Sequence, residues 1–202
     1  PAADSAPRTR EAAAPPPPRA AEAQAARLDR AFRVAEQTHI PQLADFIYWY
    51  AATLEGGGLN QVLALLERTQ DDTLRRRLAE IALAMEGRAN ITQPSAWKQT
   101  ALRLYAHRDV RVQRQAERLA AVFGDDSMFP RLREVLANAN ADSEARRHAY
   151  AVLSRARDRA SLPVFLRLLD DPAFRASTIS LLAHFDLAEV PAALLQRFES
   201  FS

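Results

Sequence analysis

An acidic residue followed by an amphipathic stripe recurs along this chain in a fixed register, and that recurrence limits its fold more than any other feature. With Asp71, Asp109, Asp142 and Asp171 aligned, the third residue after each is apolar: Leu74, Val112, Ala145 and Phe174. Seven residues beyond those stand Ile81, Leu119, Val152 and Leu181, followed by Ala82, Ala120, Leu153 and Leu182. Positions i, i+7 and i+8 share one helix face, so each copy predicts an amphipathic helix opened by an Asp. A carboxylate there accepts bonds from free first-turn amides and opposes the helix dipole, worth about 1 kcal/mol. Pro172, directly after Asp171, sits where a first-turn proline forfeits no hydrogen bond.

The segments before these elbows also match. Phe129-Pro130, Leu162-Pro163 and Val190-Pro191 each open an apolar run (LREVL, FLRLL, ALLQRF), and Ile40-Pro41 is a fainter copy. The unit is a first helix, an acidic elbow and a second helix, with elbows 38, 33 and 29 residues apart. Periods of this size mark stacked repeats, because one hairpin cannot bury its own stripe. No alternating apolar and polar run argues for a strand. The expected fold is therefore all-α, a right-handed solenoid of helical hairpins over residues 23–202, about five and a half units.

Its final copy, AEVPAALLQRFESFS, is a first helix without its partner. Apolar surface left bare there predicts self-association through the C-terminal repeat. Residues 1–22 carry Pro15 to Pro18, which favour polyproline II, and form an expected linker or entry segment.

Composition excludes some chemistry. Cysteine is absent, which removes disulfides, thiol catalysis, zinc-thiolate sites and covalent haem attachment for this chain. No apolar run approaches the roughly 20 residues needed to span a bilayer, and residues 1–22 hold no signal-peptide core. Net charge is +2 although the pI is about 9.4, because Lys98 is the only lysine among 27 basic residues. Such Arg bias fits a GC-rich genome, or Arg used to hold anions.

The elbows DDTLR, DSEAR and DPAFR resemble HEAT-type repeats, whose second helix opens with an Asp-x-x-apolar-Arg pattern. The resemblance runs from Gly58 to Ser202; DVRVQ departs from it by placing Gln113 where the pattern has Arg. It implies an Asp–Arg ladder between neighbouring repeats, carried here by Asp142, Arg146, Asp171 and Arg175, with a gap at Gln113. It also implies a non-catalytic scaffold or spacer within a larger multidomain protein. More narrowly, LYAHRDVRVQRQAERLAAVFGD, LPVFLRLLDDPAFR and VPAALLQRF resemble the HEAT region of planctomycete-type proteins that join a dehydrogenase propeller to a c-type cytochrome. That likeness implies a periplasmic or secreted location, with the redox modules outside this sequence.

No catalytic, cofactor-binding or metal-ligating residue is nominated. His39, His107, His148 and His184 lack ligand spacing, and Asp125-Asp126 and Asp170-Asp171 sit at helix junctions where capping accounts for them. No GxSxG is present, and the glycines 56–58 lack a GK[ST] partner and a preceding strand. Asn90-Ile91-Thr92 is a glycosylation sequon only in a eukaryotic secretory host. Of Tyr48, Trp49, Tyr50 and Trp97, the three consecutive ones cannot all face inward at 100° per residue; two packed and one exposed is expected, with a ligand or partner cleft between the N-terminal helices as the alternative.

The candidate binding surface lies on the second helices. With the apolar face centred on the third, seventh and eleventh residues after each Asp, the fifth, sixth and ninth point outward. These include Arg76, Arg77, Arg114, Arg118, Arg147 and His148; the stripe stops at Ala176, Ser177 and Ser180. Either this is a solvated face with no partner, or stacking aligns these side chains into a groove for an acidic protein segment. Nucleic acid is a third reading, opposed by Glu80 and the near-neutral total charge.

Overall fold

The computed structural model describes residues 18–54, 57–88 and 91–197, and within them every regular element is helical. Eleven α-helices follow in order: α1 (Pro18–Gln37), α2 (Pro41–Thr53), α3 (Gly58–Leu66), α4 (Asp71–Ala84), α5 (Trp97–Tyr105), α6 (Val110–Phe123), α7 (Phe129–Ala137), α8 (Ser143–Ala156), α9 (Leu162–Leu168), α10 (Arg175–Leu182) and α11 (Glu189–Gln196). A short 3₁₀ turn, Arg159–Ser161, precedes α9. Helix α1 starts at Pro18, inside the expected linker; a proline there gives up no intrahelical bond, and the alanines after it favour helix. The rest of that segment, residues 1–17, lies outside the described residues, as do Gly56, Asn90 and residues 198–202.

The elbows behave as short-range chemistry dictates, with two departures. Asp109 and Asp142 cap α6 and α8, accepting from the Arg111 and Ala145 amides at 2.9 and 2.8 Å. Asp171 accepts from the Ala173 amide at 3.0 Å but opens a separate turn, so α10 begins only at Arg175. Asp71 does not cap: it is the first residue of α4, and its carboxylate reaches to the next elbow, taking His107 Nε2 at 3.2 Å and Arg108 Nη2 at 2.6 Å. Those two bonds hold its carboxyl below the usual range. The local cap is given up for a tie between successive hairpins.

Packing follows sequence order. Within pairs, α1 packs on α2, α5 on α6, α7 on α8 and α9 on α10. Between pairs, α2 packs on α4, α4 on α6 and α6 on α8, while α3 meets α5 and α7 meets α9. Each of α4, α6 and α8 buries one stripe: Leu74, Leu78 and Ile81; Val112, Ala116 and Leu119; Ala149, Val152 and Leu153. Burying each Leu, Ile or Val among these is worth about 1.5–3 kcal/mol, and each Ala less, so packing between successive helices contributes strongly to stability. Among the described residues the apolar interior falls into two clusters, Leu28 to Phe123 and Phe129 to Ala193.

Gly58 permits one close approach. A Cβ built there would lie 2.3 Å from the Ala51 carbonyl oxygen, so α3 starts hard against the end of α2. Tyr48 and Trp97 are buried, Trp49 is half-buried and Tyr50 is 48% exposed, as 100° per residue requires.

Candidate functional site

The joints between hairpins are pinned by polar pairs, and these decide which charged side chains are free. Arg146 Nη2 sits 2.9 Å from Asp171 Oδ2, with its guanidinium 4.8 Å from the Phe174 ring centroid. Arg75 Nε lies 3.6 Å from Asp109 Oδ2. At the joint between them, Gln113 donates to the His107 carbonyl at 2.6 Å and makes no bridge to Asp142. The α6–α8 joint is held instead by Arg114 with Glu144 and by His148 Nε2 with Glu117 Oε2 at 2.6 Å. Glu117 and His148 are both buried, and His148 Nδ1 has no partner.

A second network anchors the turn after α6. Asp125 Oδ2 accepts from Trp97 Nε1 at 2.8 Å and Tyr105 Oη at 2.9 Å, and Oδ1 accepts from the Ser127 amide at 3.0 Å. Burial pushes the Asp125 carboxyl up, but the Ser127, Trp97 and Tyr105 bonds together hold it below the usual range. Burial and the neighbouring Asp125 charge push the Tyr105 hydroxyl far up, so it stays a donor. Arg103 of α5 serves α3 in a similar way, donating to the Leu66 and Thr69 carbonyls at 2.5 and 3.1 Å.

These pairings redistribute the expected binding residues. Arg76 Nη2 is 2.5 Å from Asp45 Oδ2, and Arg114 is engaged by Glu144. Arg77, expected to face outward, is 7% exposed; it bonds Asp45 at 3.3 Å and lies 3.7 Å above the Tyr48 ring. Burial lowers its pKa, while the Tyr48 and Asp45 side chains oppose that. His148, also expected outside, is 7% exposed against Glu117. The reason is geometric: the buried face runs through the third, seventh and tenth residues, so it is rotated from the expected centre. The sixth residue then points at the preceding second helix. Arg118 and Arg147 are exposed, Arg147 meeting only Ser143 Oγ at 3.4 Å.

What remains open is the long face shared by α4, α6 and α8. Two clefts lie along it and meet at Gln115. The α4–α6 cleft, about 450 Å³, has Arg75, Arg76 and Arg111 at its rim over Leu78 and Val112. All three guanidinium groups are engaged internally, by Asp72 and Asp109, by Asp45 and by Asp109. The cleft reaching α8, about 290 Å³, is floored by Leu119, Val122 and Val152 and flanked by Arg118, Arg155 and Glu86. Arg118 and Arg155 are exposed and have no ion pair among the described residues. Arg155 was not among the expected positions, although it lies one turn beyond the ninth residue on the same stripe.

Among the described residues no group of three or more acidic, His or Cys side chains is placed to hold a metal ion. No described helix is long and apolar enough to cross a membrane. No protein-family model matches the chain, and no match emerges among curated protein sequences or solved structures.

Proposed function

We propose that this chain is a non-catalytic interaction scaffold, a right-handed HEAT-like solenoid whose second helices line the partner-facing side. One observation carries the reading: α2, α4, α6 and α8 pack in serial order, and their shared face keeps clefts flanked by Arg side chains. Hairpins that pack chiefly on their neighbours leave little central nucleus to enclose a small substrate. They offer length and surface instead, which suits protein partners or adjoining domains of the same polypeptide. Of the six expected binding residues, Arg118 and Arg147 are the exposed ones without an ionic partner among the described residues.

The test is a photo-crosslinking residue in place of Gln115, with a second at Leu102, which is 68% exposed on α5. In lysate of the source organism, the reading expects a discrete adduct from position 115, lost on Arg118→Glu/Arg155→Glu and absent from position 102. Equal adducts from both positions, or none from 115, would contradict it.

A further inference from the structure

The two clefts on the second-helix face differ in one respect that bears on what they hold. Every guanidinium on the α4–α6 cleft is neutralised from within the chain, whereas the α6–α8 cleft keeps two that have no ion pair among the described residues. Residues 111, 115, 118 and 122 fall on one line of α6, as 147, 151 and 155 do on α8, so Arg118 and Arg155 flank the cleft from adjacent helices. Between them the floor is aliphatic.

We propose that the α6–α8 cleft docks an acidic, extended peptide segment. Two spaced carboxylates engage Arg118 and Arg155, and an apolar side chain between them rests on Leu119, Val122 and Val152. The proposal rests on the reading of this face as the partner-binding surface and specifies the partner's chemistry. Planar guanidinium groups pair with carboxylates through two parallel bonds, and an apolar floor adds contact that a fully hydrated anion cannot use. A volume of about 290 Å³ admits two or three side chains, not the cylinder of a helix roughly 10 Å across. Glu86 stands at the same rim. Its charge repels a uniform polyanion such as a phosphate backbone but tolerates a peptide whose acids are spaced, which favours protein over nucleic acid.

Fluorescence anisotropy on the full chain tests this with labelled nine-residue peptides carrying two Glu separated by one, two or three apolar residues. Gln counterparts of the same peptides and a labelled duplex DNA are the comparison probes. The expected result is that at least one Glu peptide binds about tenfold more tightly than its Gln counterpart, with affinity falling as salt rises. Arg118→Glu/Arg155→Glu should weaken that binding by about tenfold or more, while Lys98→Glu, on α5, leaves it within about twofold. If the double variant melts early, Arg118→Gln and Arg155→Gln singly carry the same comparison. Equal binding of Glu and Gln peptides overturns the acidic preference but leaves the docking face standing. Failure of every Glu peptide to bind overturns the proposal; if the crosslink from position 115 is also absent, the scaffold reading falls with it. Duplex DNA that binds more tightly than any peptide, and is released by the double variant, would assign the cleft to nucleic acid instead.

Discussion

Arg146 reaches 2.9 Å across to Asp171, while Gln113, one hairpin earlier, stops at the His107 carbonyl on its own side. Arg146 and Gln113 do half the same work: each bonds a carbonyl ahead of its helix, Gln113 to His107 at 2.6 Å and Arg146 to Leu136 in the last turn of α7 at 3.3 Å. Only Arg is long enough to continue into the next hairpin. Arg146→Ala should therefore cost about 1–3 kcal/mol, since a partly buried carboxylate loses its partner. Arg146→Lys should recover less than half, lacking both the fork and the stacking on Phe174. Gln113→Arg should add up to about 1 kcal/mol by reaching Asp142. Urea unfolding of the three variants reads all of this, and a neutral Arg146→Ala would remove the joint from the account.

Asp125 ties Trp97 and Tyr105 to the turn after α6, and its carboxyl is held below its ordinary range by the bonds it accepts. The sign follows from that depression. The contribution is fully present above the unfolded carboxyl pKa, about 3.9, and is lost as pH falls through the lower folded value. Asp125→Asn should lower the melting temperature at pH 7, and the gap to the parent protein should close in the acid range. A gap that stays constant down to the acid limit would show that Asp125 acts through shape alone. Trp97 fluorescence, read in a Trp49→Phe background, provides a local readout of the same change.

Glu117 and His148 form a buried pair where the two apolar clusters meet. Removing His148 leaves the buried Glu117 facing only the more distant Arg131, at 3.7 Å, so His148→Ala should cost about 3 kcal/mol. Replacing both by apolar groups of similar volume, Glu117→Leu/His148→Phe, should recover most of it. A double-mutant cycle measures the coupling directly; additive effects would mean that the pair does not hold α6 against α8.

Gly58 admits no side chain because the Ala51 carbonyl oxygen stands where a Cβ would go. Gly58→Ala should cost several kcal/mol, as overpacking at backbone cannot be relieved by a rotamer. Gly87 has open space but a φ of 69°, so Gly87→Ala should cost only about 1–2 kcal/mol. Denaturant titration of the pair distinguishes steric from conformational demand; equal losses would contradict it.

Much of this was legible in the sequence because it depends on short spacings. The elbows at Asp109 and Asp142, the helical period of the buried stripes and the break at Gln113 are all set within one or two helical turns, whereas the centre of the buried face is not. Arg77 and His148 were misplaced because their burial depends on where the preceding second helix lies, which no local period reports. Asp71 follows the same logic: a cap by residue type, it is drawn away by His107 and Arg108, 36 and 37 residues later. Arg155 was within reach, since extending the outward stripe by one more turn arrives at it. That Arg118 stays free while Arg114 does not could only come from seeing Glu144 beside the latter.

Serial order of the hairpins is the claim on which the rest depends, and the chain's lack of cysteine lets two introduced labels report it cleanly. Spin labels at Gln42→Cys and Ser143→Cys mark the first turns of α2 and α8, three helix-to-helix steps apart. At 8–10 Å per step, the pulsed dipolar distance should centre on about 30 Å. A distance near one step, about 10 Å, would place α2 and α8 side by side around a common nucleus and contradict the stack.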